Sequence, residues 1–344
     1  MVTVKLGNTG IVANKNGFGA LPIQRIDMDS AVKLIHMALD GGVNFFDTAR
    51  AYSDSEQKLG AALKDVDRST YYIATKTAAQ TGGKVLEDLE TSLRLLQTAY
   101  IDIYQLHCAP KCFRPGDEDG VYDAVVKAKK EGKIRHIGIT AHLLNVAEEA
   151  IESGLYETLQ FPFAYISSEK EIALVKKCEE AGMGFLGMKG LAGGLLTNAK
   201  VCYWFACQYK SVLPLWGVQR ESELAEFLSY QEKAPEMDEE MKAIYEKDLK
   251  ELAGDFCRGC GYCMPCPKGI KINNCARISQ LLRRSPSANW LGEEWQAEMA
   301  KIKECLHCGQ CASRCPYGLD TPKLLEKNLE DYENVLAGSV CVTQ

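Results

Sequence analysis

The stretch FFDTARAYSDSEQKLGAAL, residues 45–63, contains one complete unit of a pattern that recurs along most of the chain. It begins as a short apolar strand that ends at Asp47 and continues into a polar loop. The loop leads into a segment with apolar residues four positions apart, Leu59 and Leu63, a spacing typical of an amphipathic helix. The stretch therefore predicts a strand–loop–helix unit of the kind that builds parallel α/β proteins.

The same alternation extends in both directions, from Val2 to about Tyr230. After a hairpin-like pair at 2–6 and 11–17, eight strands are predicted, near residues 18–21, 43–46, 71–75, 101–106, 134–139, 158–161, 183–188 and 212–215. Eight strand–helix repeats fit a closed (β/α)8 TIM barrel better than an open sheet. An open nucleotide-binding sheet carries an early Gly-rich turn, and no GxGxxG motif follows the first strand of this sequence.

Two helix starts are predicted from capping residues. Ser30 is expected to cap the first helix of the barrel, which should end at Gly41 and Gly42. Ser53 and Glu56 fit a capping box for the helix that follows Asp47.

The character of the sequence changes beyond Tyr230. Residues 231–250 are rich in Glu, Lys and Met and are predicted to form a linker helix between a barrel domain, 1–230, and a C-terminal domain, 251–344. The C-terminal domain has helical patterns, a break at residues 285–287 and little strand pattern, so we expect it to be mostly helical.

The composition is that of a folded globular protein, since 46% of the 344 residues are hydrophobic and 25% are charged. The formal net charge of −6 argues against non-specific nucleic-acid binding, which needs excess Lys and Arg. The longest weakly polar stretch, residues 181–196, is too short to span a membrane. No secretory signal is recognised at the N-terminus, and a cytoplasmic location is expected.

Ionisable residues end three consecutive predicted strands, at Asp47, Lys76 and His107, and Tyr52 follows in the loop after Asp47. In a parallel barrel these positions face one shared mouth, where active sites lie. The set suits carbonyl reduction or its reverse, in which hydride reaches carbon while an acid protonates oxygen. Tyr52 is predicted to be that acid, and Lys76, held by Asp47, to lower its pKa. His107 would orient the carbonyl or share the proton, although each residue alone could be purely structural.

Phosphate sites in TIM barrels are often built from the loops after strands seven and eight. GMKGLAGGLL from Gly187 and LWGVQRESEL from Leu215 occupy these places. Their glycine amides and one basic residue could hold the phosphates of a nicotinamide cofactor, or the glycines could simply permit tight turns. The candidate contacts are Met188, Lys189, Gly193, Gly194, Gly217 and Arg220.

Eight cysteines form two closely spaced groups, CRGCGYCMPCP at residues 257–267 and CLHCGQCASRCP at 305–316. A CxxCxxC run wraps one 4Fe–4S cluster, and the cysteine before the following proline ligates the other cluster in two-cluster ferredoxins. We therefore predict a ferredoxin-like module with two 4Fe–4S clusters and crossed ligands. One set is Cys257, Cys260, Cys263 and Cys315, and the other is Cys305, Cys308, Cys311 and Cys266. The gap before Cys266 is one residue shorter than usual, and zinc, the alternative, suits this spacing poorly.

The barrel motifs resemble those of the aldo-keto reductase superfamily. The likeness is carried by residues 45–63, by IATKT from Ile73 and by YQLHC from Tyr104, and it covers roughly the first 230 residues. It implies that Tyr52 is the general acid and that Lys76 and Asp47 adjust its pKa. It also implies that His107 helps to position the substrate.

The resemblance also implies that Gln160 and Thr140 lie beside the nicotinamide. The chain departs from the family at Ala141 and at Phe227, both of which stand where asparagine is common. Together with the cysteine module, the barrel resembles the iron–sulfur-bearing branch of the superfamily, which would suit an anaerobic organism.

Three functions are compatible with these observations. The leading one is an oxidoreductase that reduces an aldehyde or ketone with NADP or NAD as cofactor, with clusters that are structural or pass electrons to a redox partner. The second is a reductase fed by ferredoxin, which the departures at Ala141 and Phe227 favour. A flavin usually converts between two-electron and one-electron carriers, but no residue pattern specifies one. The third is an electron-transfer subunit of a larger complex, against which the complete Asp47, Tyr52, Lys76 and His107 set argues.

Overall fold

The computed structural model describes residues 2–252 and 256–342, and in these residues the chain forms two compact units. The first runs from the N-terminal residues to Gly190 and resumes from Ala199 to Met241. The second comprises Leu191–Asn198 and the chain from Lys242 onward. The division of the sequence at residues 230 and 250 stays a prediction, and residues 253–255 and 343–344 of the predicted C-terminal domain lie outside the described part.

Within the described residues, the first unit is a closed barrel of eight parallel strands, preceded by an antiparallel hairpin of β1 (Thr3–Lys5) and β2 (Val12–Asn14). The barrel strands are β3 (Gly17–Gly19), β4 (Phe45–Asp47), β5 (Tyr72–Thr77), β6 (Ile101–Leu106), β7 (Ile134–Thr140), β8 (Thr158–Pro162), β9 (Gly184–Met188) and β10 (Val212–Gly217). Neighbours in the chain pair in order, and β10 pairs with β3 to close the barrel. The predicted TIM-barrel fold is confirmed.

A helix follows each barrel strand and buries one apolar face. These helices are α1 (Met28–Asp40), α2 (Ser55–Leu63), α3 (Gly82–Leu95), α4 (Val121–Lys130), α5 (Leu144–Ser153), α6 (Glu169–Glu180), α7 (Ala199–Cys207) and α8 (Glu221–Ser229). In α1 the buried residues are Ala31, Leu34, Ile35 and Ala38, which recur at the helical period.

Both predicted helix caps were wrong. The N-cap of α1 is Asp27, whose carboxylate accepts a hydrogen bond from the amide of Ser30, so Ser30 already lies in the first turn. The N-cap of α2 is Asp54, with no side-chain cap. Glu56 cannot complete a capping box because its buried carboxylate pairs with Arg50 and accepts hydrogen bonds from neighbouring hydroxyl groups.

The interior of the barrel changes from apolar to polar along the strands. Side chains two residues apart in a strand share a face, so Phe45 and Asp47 point the same way, as do Ala74 and Lys76. The earlier residue of each pair belongs to a buried apolar cluster that also contains Val4 and other hairpin residues. The later residue lies at the carboxyl end of its strand, and the hairpin side chains therefore pack with the opposite, apolar end of the interior.

Helices dominate the second unit, as predicted, and several are only one turn long. They are α9 (Glu239–Glu251), which begins in the first unit, α10 (Ile272–Cys275), α11 (Ile278–Arg284), α12 (Ala288–Leu291), α13 (Glu293–Ala300), α14 (Gln310–Ser313) and α15 (Thr321–Leu336). The predicted break at 285–287 separates α11 from α12. The predicted linker helix begins late, at Glu239, because Pro235 disfavours helix before it and Asp238 caps the amide of Met241. None of the described helices has the length and apolar character needed to cross a membrane.

Candidate active site and cysteine cavities

A buried lysine–aspartate pair forms the centre of the barrel mouth. Lys76 Nζ lies 2.6 Å from Asp47 Oδ1 and donates a second hydrogen bond, of 2.7 Å, to the carbonyl oxygen of Thr48. Asp47 also accepts hydrogen bonds from Gln105 Nε2 at 3.1 Å and from Gln160 Nε2 at 3.4 Å. All of these side chains are buried, so strand ends that are far apart in sequence fix the orientation of the Lys76 ammonium.

Tyr52 and His107 lie against this pair. Lys76 Nζ is 5.0 Å from the centroid of the Tyr52 ring, and the Tyr52 and His107 rings meet edge to face with centroids 5.7 Å apart. The structure therefore brings together the four residues that the strand ends predicted, Asp47, Tyr52, Lys76 and His107.

The protonation states follow from burial and from the charge of Lys76. Burial lowers the pKa of Lys76, but the attractions of Asp47 and other neighbours together outweigh it and the net pKa is raised, so Lys76 carries its charge. Burial raises the pKa of Tyr52, and Lys76 is the strongest influence that lowers it. Burial, reinforced by Lys76, lowers the pKa of His107 to about 3. Tyr52 and His107 are thus both neutral near pH 7, and the net lowering predicted for the pKa of Tyr52 is not found because burial outweighs Lys76.

Sequence reasoning missed Gln105, a further residue of the mouth, whereas Cys108 and His142 were candidates for its rim. Gln105, which holds Asp47, precedes His107 by two positions, and that alternation was a signal that both face the interior. Cys108 Sγ lies 3.9 Å from Nδ1 of the buried His142, and the Cys108 amide donates to Thr140 Oγ1 at 2.7 Å. The Thr140 hydroxyl thus orients the residue that follows His107.

The predicted nicotinamide contacts fall into different places. Gln160, in β8, has its Oε1 buried, and within the described residues this atom accepts no hydrogen bond. Met188 ends β9, and its carbonyl accepts the amide of Phe163 at 2.8 Å. Lys189 has a positive φ of 58°. Burial is the main cause that lowers the pKa of His142, and the positive charge of Lys189 lowers it further, so this charge lies near the barrel mouth. Gly193 and Gly194, with φ of 67° and 90°, belong to the second unit.

The remaining contacts lie between β10 and α8. Gly217 ends β10, and Arg220, at the N-cap of α8, is largely exposed. The carboxylate of Glu223 accepts hydrogen bonds from the amides of Gln219 and Arg220, at 3.0 and 3.1 Å. Phe227 is buried and stacks on Trp216 with ring centroids 4.5 Å apart. An acidic side chain and an aromatic stack therefore occupy the start of this helix and its inner face.

The cysteines of the second unit line two cavities in the described part of the chain, both partly open, with about 410 and 350 Å³ of unfilled space when the open solvent is included. The smaller is lined by Cys257, Cys260, Cys263 and Cys315, and the larger by Cys263, Cys266, Cys305, Cys308 and Cys311. The remaining walls are mostly apolar and include Ile272 in both cavities. Each cavity therefore contains the last cysteine of one group and the first three of the other, and Cys263 lines both cavities.

The two cysteine sets differ in exposure. Cys308, in the larger cavity, is exposed and follows Leu306, whose side chain is 60% accessible to solvent. The members of the smaller set are buried or half-buried, and Cys257 Sγ accepts the amide of Gly259 at 3.4 Å. Within the described residues, no three His, Cys, Asp or Glu side chains converge closely enough to hold a single metal ion.

Comparison with known protein families identifies both parts of the chain. The model of the aldo/keto reductase family matches residues 15–202, which is more than half of the sequence. The chain belongs to the aldo-keto reductase family. A 4Fe–4S dicluster domain model matches residues 256–320. This aldo-keto reductase is an oxidoreductase with a C-terminal iron–sulfur domain, as the sequence motifs predicted.

Its relatives are similar over more than half of the chain. L-galactose dehydrogenase of Arabidopsis thaliana is 33% identical over 219 residues, which cover 58% of this chain and 68% of the relative. Aldo-keto reductase YhdN of Bacillus subtilis is 30% identical over 221 residues, covering 58% and 64%. The chain thus spans about two thirds of the length of these relatives. The structure of aldo-keto reductase AKR11C1 from Bacillus halodurans, a holo form, is similar with a TM-score of 0.64 at 21% identity, covering 74% of this chain and 98% of that one.

Proposed function

We propose that this aldo-keto reductase reduces the carbonyl group of a small aldehyde or ketone with NADPH or NADH, and that Tyr52 supplies the proton. The observation that carries the proposal is the buried contact of Lys76 with both Asp47 and Tyr52. A neutral phenol beside a fixed ammonium can give its proton to the strongly basic alkoxide oxygen that develops as hydride reaches the carbon, because the cation stabilises the phenolate that forms.

Each residue of the set has a separate task in this proposal. Tyr52 protonates the carbonyl oxygen, and Lys76 stabilises the resulting phenolate. Asp47 keeps Lys76 protonated and, with the Thr48 carbonyl, holds its Nζ beneath the phenol. His107 is neutral, so one of its ring nitrogens can donate a hydrogen bond to the carbonyl oxygen without competing for the proton.

The residues present fit a nicotinamide cofactor, which supplies hydride when it is bound. The buried Gln160 Oε1 would accept a hydrogen bond from the carboxamide N–H group of the nicotinamide. Amides of the loop after β9, where Lys189, Gly193 and Gly194 have positive φ, would hold the phosphates. Met188, Thr140, Gly217 and Arg220 are the other proposed contacts, and the Glu223 cap disfavours an additional phosphate at Arg220.

We further propose that the dicluster domain holds two 4Fe–4S clusters, which transfer single electrons when present. The cysteine linings support the crossed assignment, with Cys257, Cys260, Cys263 and Cys315 in one set and Cys266, Cys305, Cys308 and Cys311 in the other. Apolar walls would limit solvent access to the clusters. A ferredoxin or another small redox protein is the proposed partner, and a cytoplasmic location remains a prediction.

The deciding experiment is an anaerobic titration of the iron-replete protein with NADPH and then NADH, followed by nicotinamide fluorescence and by the visible cluster bands. We expect saturable binding and turnover of added aldehydes or ketones. Absence of nicotinamide binding would overturn the proposal. Flavin released on denaturation would show that the electron path includes a converter that this sequence does not specify.

A second candidate is a reductase fed with electrons by a ferredoxin through the clusters. The Glu223 cap on the Gln219 and Arg220 amides favours it, because this carboxylate repels an anion at that helix start. The exposure of Cys308 also favours it. The same titration separates the two candidates, since this one requires turnover with reduced ferredoxin and none with NADPH or NADH.

A further inference from the structure

We infer that Arg277 of the iron–sulfur unit is a positioning residue for the nicotinamide loop, defined here as residues 191–198. Its guanidinium connects that loop to the first cysteine loop, which contains Cys257 and Cys260. The occupancy and oxidation state of the cluster at the first cysteine set therefore govern the affinity for the nicotinamide cofactor. This inference rests on the proposed function, in which amides of the nicotinamide loop bind cofactor phosphates.

In the sequence, the nicotinamide loop joins two elements of the barrel, but in the structure it packs with the second unit. It connects β9 to α7, both in the first unit, yet it belongs to the second compact unit. Arg277 Nη1 donates to the carbonyl oxygen of Gly193 at 3.4 Å, and Arg284 Nη1 donates to that of Leu195 at 3.0 Å. Arginines from the iron–sulfur unit therefore bind successive parts of this loop.

Arg284 is itself firmly anchored, whereas Arg277 connects two loops. Arg284 pairs with Asp248 at 2.7 Å and with Glu251 at 2.5 Å, and its side chain is only 10% exposed. Arg277 packs against backbone on both sides. A Cβ atom on Gly193 would lie 3.0 Å from Arg277 Nη1, and one on Gly259 would lie 2.9 Å from Arg277 Cζ.

Gly259 belongs to the first cysteine loop, between Cys257 and Cys260, and its amide donates to Cys257 Sγ. Gly193 and Gly259 have φ of +67° and +66°, and both lack the side chain that would displace the guanidinium. Arg277 therefore lies between two glycines, one in each loop. A rearrangement of the first cysteine loop that moves Gly259 must move Arg277, and with it the carbonyl of Gly193.

This connection makes the two sites thermodynamically linked. If a filled first cysteine set holds the nicotinamide loop in its binding arrangement, nicotinamide binding must in turn stabilise that set by the same factor. Such couplings between sites are typically about 5- to 150-fold in affinity. A fivefold difference in NADP affinity between the two oxidation states of that cluster would shift its potential by about 40 mV, since tenfold is 59 mV for one electron.

The test compares three full-length, iron-replete variants with the wild type: Arg277→Gln, Arg277→Lys and Arg283→Gln. Arg283 is the matched control because it lies on α11 beside Arg284 but pairs with Asp331. The measurements are iron content, NADPH affinity, hydrogen exchange of residues 191–198, and cluster potentials with and without NADP.

For Arg277→Gln we expect full iron content, NADPH affinity at least about fivefold weaker and faster exchange of the nicotinamide loop. Arg277→Lys should restore part of the affinity, and Arg283→Gln should equal the wild type. In the wild type, NADP should shift the potential of one cluster. Arg277→Lys retains the positive charge but lacks the planar guanidinium with its several N–H donors, so it should reduce that shift.

Wild-type affinity and exchange in Arg277→Gln would overturn the inference while leaving the proposed function intact. If Arg277→Gln loses iron, the Arg277→Lys variant provides the test. An iron-replete Arg277→Lys protein in which NADP shifts the cluster potential as much as in the wild type would also overturn the inference. A wild-type protein that binds neither NADPH nor NADH would instead overturn the proposed function, and this inference with it.

Discussion

The barrel mouth and the cysteine cavities are organised in opposite ways. At the mouth, protein atoms bind the two charged groups: Lys76 contacts Asp47 and the Thr48 carbonyl, and Gln105 and Gln160 hold the carboxylate. In the second unit, one-turn helices such as α10 and α14 surround cavities of about 410 and 350 Å³ lined by cysteines. Helices of one turn are not stable by themselves. The comparison teaches that strand register builds the mouth, whereas the proposed clusters would be needed to hold the second unit together.

Removal of iron should give the largest effect. Anaerobic chelation is expected to expose the second unit, including the nicotinamide loop, to proteolysis and hydrogen exchange, because metal binding and folding are coupled in such domains. Strands β4 to β6 should keep their protection. Peptide-resolved hydrogen exchange on the full chain measures both regions at once. Equal loss or equal retention of protection in both would show that the mouth and the second unit do not differ in their dependence on iron.

Tyr52→Phe should have the next largest effect, a loss of carbonyl turnover of about 10²–10⁴-fold, the usual contribution of a general acid. NADPH affinity and iron content should not change, because the ring and its contact with His107 remain. Tyr122→Phe is the matched control, since that tyrosine donates its hydroxyl to the carbonyl of Leu155, in the same barrel. Steady-state kinetics with an aldehyde that the wild type reduces provide the measurement. Turnover that survives in Tyr52→Phe would show that Tyr52 is not the general acid.

Lys76→Met tests how much the mouth depends on its buried pair. Removing one partner leaves Asp47 buried without its cation, which typically costs about 3–5 kcal/mol of unfolding free energy. Lys84→Met, in an exposed pair with Glu87, should leave the free energy of unfolding nearly unchanged. Urea denaturation of both variants gives the comparison, and equal stabilities would mean that the pair does not organise the mouth.

The smallest effect concerns pH. The pKa of His107 is about 3 in the folded protein, below its ordinary value of 6.5, so the unfolded chain binds the proton first as the pH falls. Its contribution to stability is complete above pH 6.5 and is lost progressively below it. The wild type should therefore lose about 2 kcal/mol more than His107→Gln between pH 6.5 and 5. Thermal unfolding across this range measures the difference, and parallel curves would show that His107 is not a buried neutral base.

The barrel and the centre of its mouth could be predicted because both depend on local patterns. Strand alternation gave the eight repeats, and the position of Asp47, Lys76 and His107 at strand ends gave their convergence. The cysteine spacing predicted two crossed ligand sets, which stay a proposal, and each set lies along one cavity, with Cys263 lining both. These features follow from the sequence because register and short spacings determine them.

Contacts that join distant segments could not be predicted in this way. Glu56 suited a capping box, but Arg50 and hydroxyl groups of neighbouring elements bind its carboxylate instead. Phe227 was recognised as a departure from the family, yet only the fold places it against Trp216. The contact of Arg277 with Gly193 joins positions 84 residues apart, and no local pattern in the sequence signals it.

The membership of residues 191–198 in the second unit has a consequence for the ancestry of the chain. A gene fusion that simply appended an iron–sulfur module to an ancestral barrel would change only residues after Met241, but this chain also gives that module a loop from the middle of the barrel gene. Exchange of the C-terminal half between homologues would therefore separate segments that pack together in this chain. Recombinants that inherit both segments from one parent should be the viable ones.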